Sequence, residues 1–274
     1  MNNAPLKISV VTPSFNQAKY LEATLRSVRE QDYPHVEHLV IDGGSTDGSV
    51  DILRKHSSRL AYWCSEADRG QADAIAKGFQ RATGEILCWL NSDDVFLPGA
   101  LRAVAQFFHR HPEAEAVCGG AYIINSQGQP VRRFGHCTLG VKATFNRFRF
   151  YGQDGVYQQA TFWRRGAYEA VGGVNRELQF IMDRDLFTRL ACRQPFRQLP
   201  ALLACFRIHE ECKTRRIQEV QRRESNAFFA QYGCARLGRL QQLGLHWRYR
   251  VPSLARKAVL FALVHLGVLR LKTV

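Results

Sequence analysis

The stretch "WLNSDD", Trp89 to Asp94, carries an apolar run straight into two adjacent carboxylates. Neighbouring negative charges at the end of a core segment repel each other. They have to be solvated, paired with a basic side chain or bound to a cation. A hard divalent ion such as Mg or Mn favours carboxylate oxygens and can bridge them to a diphosphate. The plainer alternative is that Asp93 or Asp94 caps the helix opening at "PGALRAVAQFF". A third carboxylate, Asp42, stands in "IDGGSTDGS" before glycines and small hydroxyls. It can accept hydrogen bonds from a base N–H or a ribose hydroxyl while the glycines admit close backbone approach. Equally, it can belong to a Gly-rich turn in which Ser45 or Asp47 caps the next helix.

These groups must be positioned by the elements around them. The apolar runs "ISVVTP", "VEHLVID", "LAYWCSE" and "EILCWLN" alternate with helically spaced stretches, "YLEATLRSVREQ", "SVDILRKHS" and "ADAIAKGFQRA". That alternation predicts an α/β fold, a mostly parallel central sheet flanked by helices. Pro13, Gly43 and Gly44, Asp68 to Gly70, and Ser92 to Asp94 then fall just after successive strands, along the edge where open α/β sheets bind ligands. Asp42 and Asp93 become neighbours there. Neither GxGxxG nor GxxxxGK[ST] is present, which lowers dinucleotides and P-loop chemistry in rank.

With 274 residues, 46% hydrophobic and 23% charged, the chain can bury a substantial core, and its composition argues against disorder. Eight scattered cysteines with no CxxC pair argue for reduced thiols in a cytosolic compartment, and the N-terminus carries no secretion signal. The net charge of +14 is concentrated: Lys213 to Val274 contributes +11. Within that tail Arg256, Lys257, Arg270 and Lys272 bracket the apolar run Ala258 to Leu269, which falls short of the about 20 residues needed to span a bilayer. It suits either an interfacial helix on an anionic membrane or a helix packed on the domain. No nucleic-acid recognition motif accompanies the charge, and no nucleic-acid partner is expected.

In this setting the chain resembles the family 2 glycosyltransferases of the GT-A fold. The matching blocks, in the family's order from Lys7 to Thr214, are "VVTPSFNQAKYLEATLRSVREQDY", "HLVIDGGSTDGS", "SEADRGQADAIAKGFQRATGEILCWLNSDD", "GGVNRELQFIMDRDLFTRL" and "FRIHEECKT". The resemblance implies a nucleotide-sugar half over about 1–118, an acceptor half over about 119–214 and a basic helical C-terminal extension over 215–274. It implies transfer of a sugar from a nucleoside diphosphate donor, a UDP-sugar first, to an acceptor hydroxyl with inversion. Pro13, Phe15 and Asn16 are then expected to hold the nucleotide, Asp42 its base, Gln71 a further part of it and Asp93 the ribose. Asp94 is expected to ligate Mn or Mg. Read as Ser92, Asp93, Asp94, the family's DxD triplet lacks its first acid.

An acceptor hydroxyl is a weak nucleophile, so a carboxylate should take its proton. Asp183 in "FIMDRDLFTRL" matches the aspartate of the family's ED-type motif, with Met182 in place of the preceding acid and Asp185 as its rival. His209 in "FRIHEECKT" matches a histidine that reaches the metal or the diphosphate in relatives, and Arg207 and Lys213 stand near it. The acceptor, a glycan or lipid-linked glycan, would meet the middle of the chain. There Phe145, Phe148, Phe150, Tyr151 and Tyr157 can stack on a sugar or lipid, or simply pack. The enzyme is expected in the cytoplasm, peripheral on the inner membrane face. The competing class is a nucleotide-sugar-binding protein without turnover, its incomplete acidic motifs marking lost catalysis.

Overall fold

The computed structural model describes residues 5–134, 156–213 and 217–231. At its centre β3 (Tyr62–Ser65), β2 (Val36–Asp42), β1 (Ile8–Ser14) and β4 (Ile86–Trp89) lie side by side, all parallel. The nine-stranded sheet continues through β8 (Thr161–Arg164), β6 (Ala116–Ile124), β9 (Arg197–Arg207) and β5 (Val95–Phe96), with β7 (Pro130–Phe134) paired to β6. Here the sheet departs from the mostly parallel expectation. β4 with β8, β6 with β8, β6 with β7 and β5 with β9 are antiparallel, while β6 with β9 is parallel. The helical crossovers that enforce parallel pairing belong to the first half. β6 and β7, by contrast, are joined by a tight turn at Asn125 and Gly128, which can only return the chain antiparallel.

Among the described residues seven α-helices accompany the strands: α1 (Ala18–Arg29), α2 (Ser49–His56), α3 (Gln71–Arg81), α4 (Ala100–Arg110), α5 (Arg165–Ala170), α6 (Met182–Arg193) and α7 (Gln218–Gln231). β1 is buried along its whole length, as a strand covered on both faces must be. One core joins Val10, Ile86, Cys88 and Phe162 to Leu101, Val104 and Phe108 of α4. The other joins Val11, Leu87, Trp89 and Trp163 to Ile75 and Phe79 of α3 and to Leu186 and Phe187 of α6. Contact between α3 and β1 is so close that a Cβ at Gly78 would come within 2.3 Å of the Val11 side chain. Only glycine lets the helix sit there.

Strands β2 and β3 lie to one side of β1 and β4 to the other. That reversal of strand order makes the C-terminal ends of β1 and β4 a ligand-binding crevice. β6 crosses residue 118, the expected boundary between the halves, and pairs with β8 and β9 of the second half. α7 comes from the segment read as an extension, yet it is anchored on the domain. Its buried Glu224 accepts the backbone N–H groups of Gln179, Phe180 and Ile181 at 2.8, 2.9 and 3.1 Å, and its Phe228 packs on Ile181. Among the described residues no helix is long and apolar enough to cross a membrane. The apolar run Ala258 to Leu269 with its basic rim, and Phe145, Phe148, Phe150 and Tyr151, lie outside the described residues. Tyr157 packs partly buried against the first core.

Candidate functional site

The crevice begins where β1 runs out. Pro13 is buried in the strand beside Ile41, whereas Phe15 is 60% exposed on the ledge that follows. Asn16 takes a left-handed backbone, φ 51°, that asparagine tolerates better than most residues. It faces the next loop, its N–H donating to Ser45 Oγ at 2.8 Å and its Oδ1 accepting from Thr46 N at 3.0 Å. Asp42 lies in the Gly-rich turn, the alternative that the sequence offered beside base contact. Its carboxylate is fully buried and accepts from Gly44 N, Ser45 N, Ser45 Oγ and Ser65 Oγ at 3.2, 2.8, 2.5 and 2.7 Å. These four donors hold the carboxylate in the Gly-rich turn. Asp47 accepts from Ser49 and from Ala18 N at the start of α1.

At the end of β4 the two acidic neighbours part. Asp94, expected to ligate a metal, is fully buried. Its Oδ1 accepts Arg207 N–H at 2.9 Å and its Oδ2 the Asn91 amide at 3.3 Å. Burial, and then the charge of Asp93, push its carboxyl well above the usual range against those hydrogen bonds. Asp93, expected at the ribose, faces His209, Oδ2 to Nε2 at 3.0 Å. Neither caps α4, whose N-cap is Gly99. Arg207 is spent on structure: its Nε donates to Asp93 O at 2.8 Å, Nη1 to Asn125 O at 3.2 Å, and the guanidinium lies over the Tyr20 ring. Tyr20 also backs the His209 ring at 4.6 Å between centroids.

A polar chain runs from Asp94 through Asn91 towards the candidate base. Gln71, at the start of α3, donates to Asn91 Oδ1 at 2.8 Å and accepts from Lys213 Nζ at 2.9 Å. Asn91 also donates to Gln158, which in turn donates to Trp89 O. Burial pulls the Lys213 ammonium down to about 8, resisted by the charges of Glu224, Asp183 and Asp68. Asp183, in the first turn of α6, is partly buried and accepts Arg184 N–H at 2.7 Å. Burial raises its pKa, with Arg184 and Lys213 opposing. Its rival Asp185 is held by the Arg189 guanidinium, which also bonds the carbonyls of Val171 and Gly173. Asp185 is therefore engaged in packing, whereas among the described residues no guanidinium holds Asp183 in this way.

Asp93, His209 and Cys212 each turn one donor atom to within 4.8 Å of the others. His209 Nδ1 is buried with no partner. Nε2 meets the Asp93 carboxylate while Nδ1 is left open, and a carboxylate and an imidazole brought together in this way fit a divalent cation. Cys212, Asn91, Gln158 and Glu224 were not singled out by the sequence. For Cys212 a signal did exist, a histidine and a cysteine three residues apart. The other three carry no local pattern, since their partners lie on distant elements.

The family model for glycosyl transferase family 2 matches residues 9–172. An uncharacterized glycosyltransferase of Mycobacterium tuberculosis is 33% identical over 194 residues, 70% of this chain and 71% of its own. The putative teichuronic acid biosynthesis glycosyltransferase TuaG of Bacillus subtilis is 33% identical over 139 residues, 50% of this chain and 55% of its own. Among solved structures, S. aureus TarS 1–349 in complex with UDP-GlcNAc has a TM-score of 0.65 at 18% identity, over 89% of this chain and 73% of that one. Against the longer TarS chain the coverage is 44% of its length. Mannosyltransferase PcManGT from Pyrobaculum calidifontis, in complex with GDP-Man and Mn2+, has a TM-score of 0.60 at 22% identity, over 82% of this chain and 65% of that one. At these identities the structural likeness establishes the GT-A architecture and no more. With the family model spanning more than half of its length, the chain belongs to glycosyl transferase family 2.

Proposed function

We propose that this chain transfers a sugar from a nucleoside diphosphate sugar, a UDP-sugar first among donors, to a hydroxyl of a glycan or lipid-linked glycan, inverting the anomeric carbon. The observation that carries the reading is the Asp93–His209 pair at the strand-order reversal; beside it Asp94 is joined through Asn91 and Gln71 to Lys213, whose charge acts on a partly buried Asp183. UDP-GlcNAc on TarS supports the donor class, and the putative part of TuaG in teichuronic acid biosynthesis supports surface-glycan synthesis. The cation is supported by GDP-Man with Mn2+ on PcManGT.

In this reading Pro13, Phe15 and Asn16 form the nucleotide ledge, with Asp42 shaping the turn beside it and Gln71 closing the far side. Asp93 and His209 would hold Mn or Mg, which as a Lewis acid neutralises charge on the departing diphosphate. Asp183 removes the acceptor hydroxyl proton as the oxygen attacks the anomeric carbon. The bond to the donor oxygen breaks, its electron pair leaving with the nucleoside diphosphate. Attack opposite the leaving group inverts the centre. A raised carboxylate pKa suits this work, bringing the base closer to the pH at which it operates. The Lys213 ammonium, close enough to interact with Asp183, adds positive charge where the diphosphate leaves.

Melting of the purified protein with UDP, GDP, TDP and CMP, each with and without Mn, tests the reading in wild type and Asp93→Ala. Ligand at 100 times its Kd adds about 2.7 kcal/mol to stability. A Mn-dependent shift with one nucleotide, lost in Asp93→Ala, is the expected result; no shift with any nucleotide would defeat the proposal. Asp183→Asn should then retain the donor shift and lose at least about 100-fold in turnover. Donor binding without turnover in the wild type would favour a binding protein.

A further inference from the structure

Cys212 is not needed by a site built for Mn or Mg. It sits in the turn that leaves β9, where its Sγ accepts the His209 backbone N–H at 3.2 Å and its S–H donates to Arg207 O at 3.4 Å. The thiol is buried and approaches the same point as Asp93 and His209. A turn-closing thiol would need nothing more, yet its sulfur also lies within 4.8 Å of the Asp93 and His209 donor atoms, and the His209 side chain, only 3% exposed, leaves Nδ1 without a partner. A buried imidazole nitrogen is left unpaired at a cost unless something occupies that point.

We propose that Cys212 is a third ligand of the cation, making a mixed carboxylate, imidazole and thiolate site that prefers Zn2+ to Mn2+ or Mg2+. The inference rests on the reading that Asp93 and His209 hold the cation. Carboxylate and water suit Mg and Mn, whereas thiolate selects softer ions. Three protein ligands around zinc leave a fourth position for water or a phosphate oxygen. On binding, the S–H bond breaks and its proton goes to solvent. The hydrogen bond to Arg207 O is lost, while the His209 N–H goes on donating to sulfur and stabilises the thiolate. Zinc would therefore compete with manganese for the same place, and the ion carried would depend on which is supplied.

The test uses the full chain, stripped of metal. Zn2+ affinity is measured by competition with a chromophoric chelator, and Mn2+ affinity from the electron paramagnetic resonance of the free ion. Co2+ is added as a spectroscopic probe of thiolate ligation. In wild type Co2+ should give a thiolate-to-metal charge-transfer band. Cys212→Ser and Cys212→Ala should abolish that band and weaken Zn2+ by at least about tenfold while Mn2+ affinity changes less than about twofold. Retained Mn2+ binding shows that both variants are folded at the site. A band that persists in both variants, or unchanged Zn2+ affinity, would overturn the role of Cys212 and leave the Asp93–His209 reading intact. Mn2+ and Zn2+ affinities that are both insensitive to Asp93→Ala would overturn that reading and this inference with it.

Discussion

Asp93 and Asp94 share a chemistry and differ in where their oxygens point. Asp94 faces inward to Arg207 N–H and Asn91, and its backbone carbonyl accepts from Thr24 Oγ1 at 2.7 Å. It joins α1, β4 and β9 behind the crevice. The raised pKa has a direct consequence for stability. Between its unfolded value of 3.8 and its higher folded value, the folded state binds more protons than the unfolded one, so stability contributed by this group falls as pH rises. Metal-free Asp94→Asn should escape that loss, and the stability gap between variant and wild type, measured by urea unfolding, should move in the variant's favour from pH 4 towards neutrality. A constant gap would mean that Asp94 is ionised in the fold. Asp94→Ala, by contrast, strands the Arg207 N–H and the Asn91 amide and should cost about 1–3 kcal/mol. That these two positions hold the acidic chemistry is legible in "WLNSDD". Which of them faces the ligand is not, because His209 stands 116 positions away in the chain.

At the scale of elements, the catalytic reading depends on α6 being held at its N-terminus. Residues 179–181 have no helix to bond their N–H groups, and Glu224 of α7 supplies the acceptor for all three. The carboxylate also sits favourably at the positive end of α6. Asp183 follows two residues after this clamp. Glu224→Gln keeps the shape and offers one acceptor oxygen in place of two, so it should lower stability by about 1–3 kcal/mol. It should reduce kcat more than the donor KM, because α7 supports the base and not the nucleotide ledge. Equal effects on both constants, or none on kcat, would remove α7 from the active machinery. The strands and helices of the first half follow from apolar runs and helical spacing. The clamp does not, since "RRESNAFF" carries no mark of what its glutamate will meet.

Across the whole molecule, charge is divided between a nearly balanced domain and a strongly basic tail, +11 of the +14 lying between Lys213 and Val274. The first part of that segment, α7, is docked on the domain. Arg248 to Val274 contains Arg256, Lys257, Arg270 and Lys272 around an apolar run, a composition suited to an anionic lipid surface. Removing Arg248 to Val274 should move the protein from the membrane fraction to the soluble one and abolish its sedimentation with anionic vesicles. A full-length protein already in the soluble fraction, and indifferent to vesicles, would end that expectation.

The sequence by itself determined the alternation of buried strands and amphipathic helices, the placing of Asp42 at the end of β2 and of Asp93 just beyond β4, and the family to which those blocks belong. Such features are local: periodicity records which face of an element is buried, and a loop after a parallel strand falls on the binding edge wherever the strand lies. The tertiary structure decided how the second half mixes strand directions, which donors occupy Asp42, which of two adjacent aspartates meets His209, and that Arg207 is spent on carbonyls. It also brought Cys212 to the same point. Each of these depends on which groups become neighbours across distant elements, and a side chain's free capacity is what its neighbours leave unbonded.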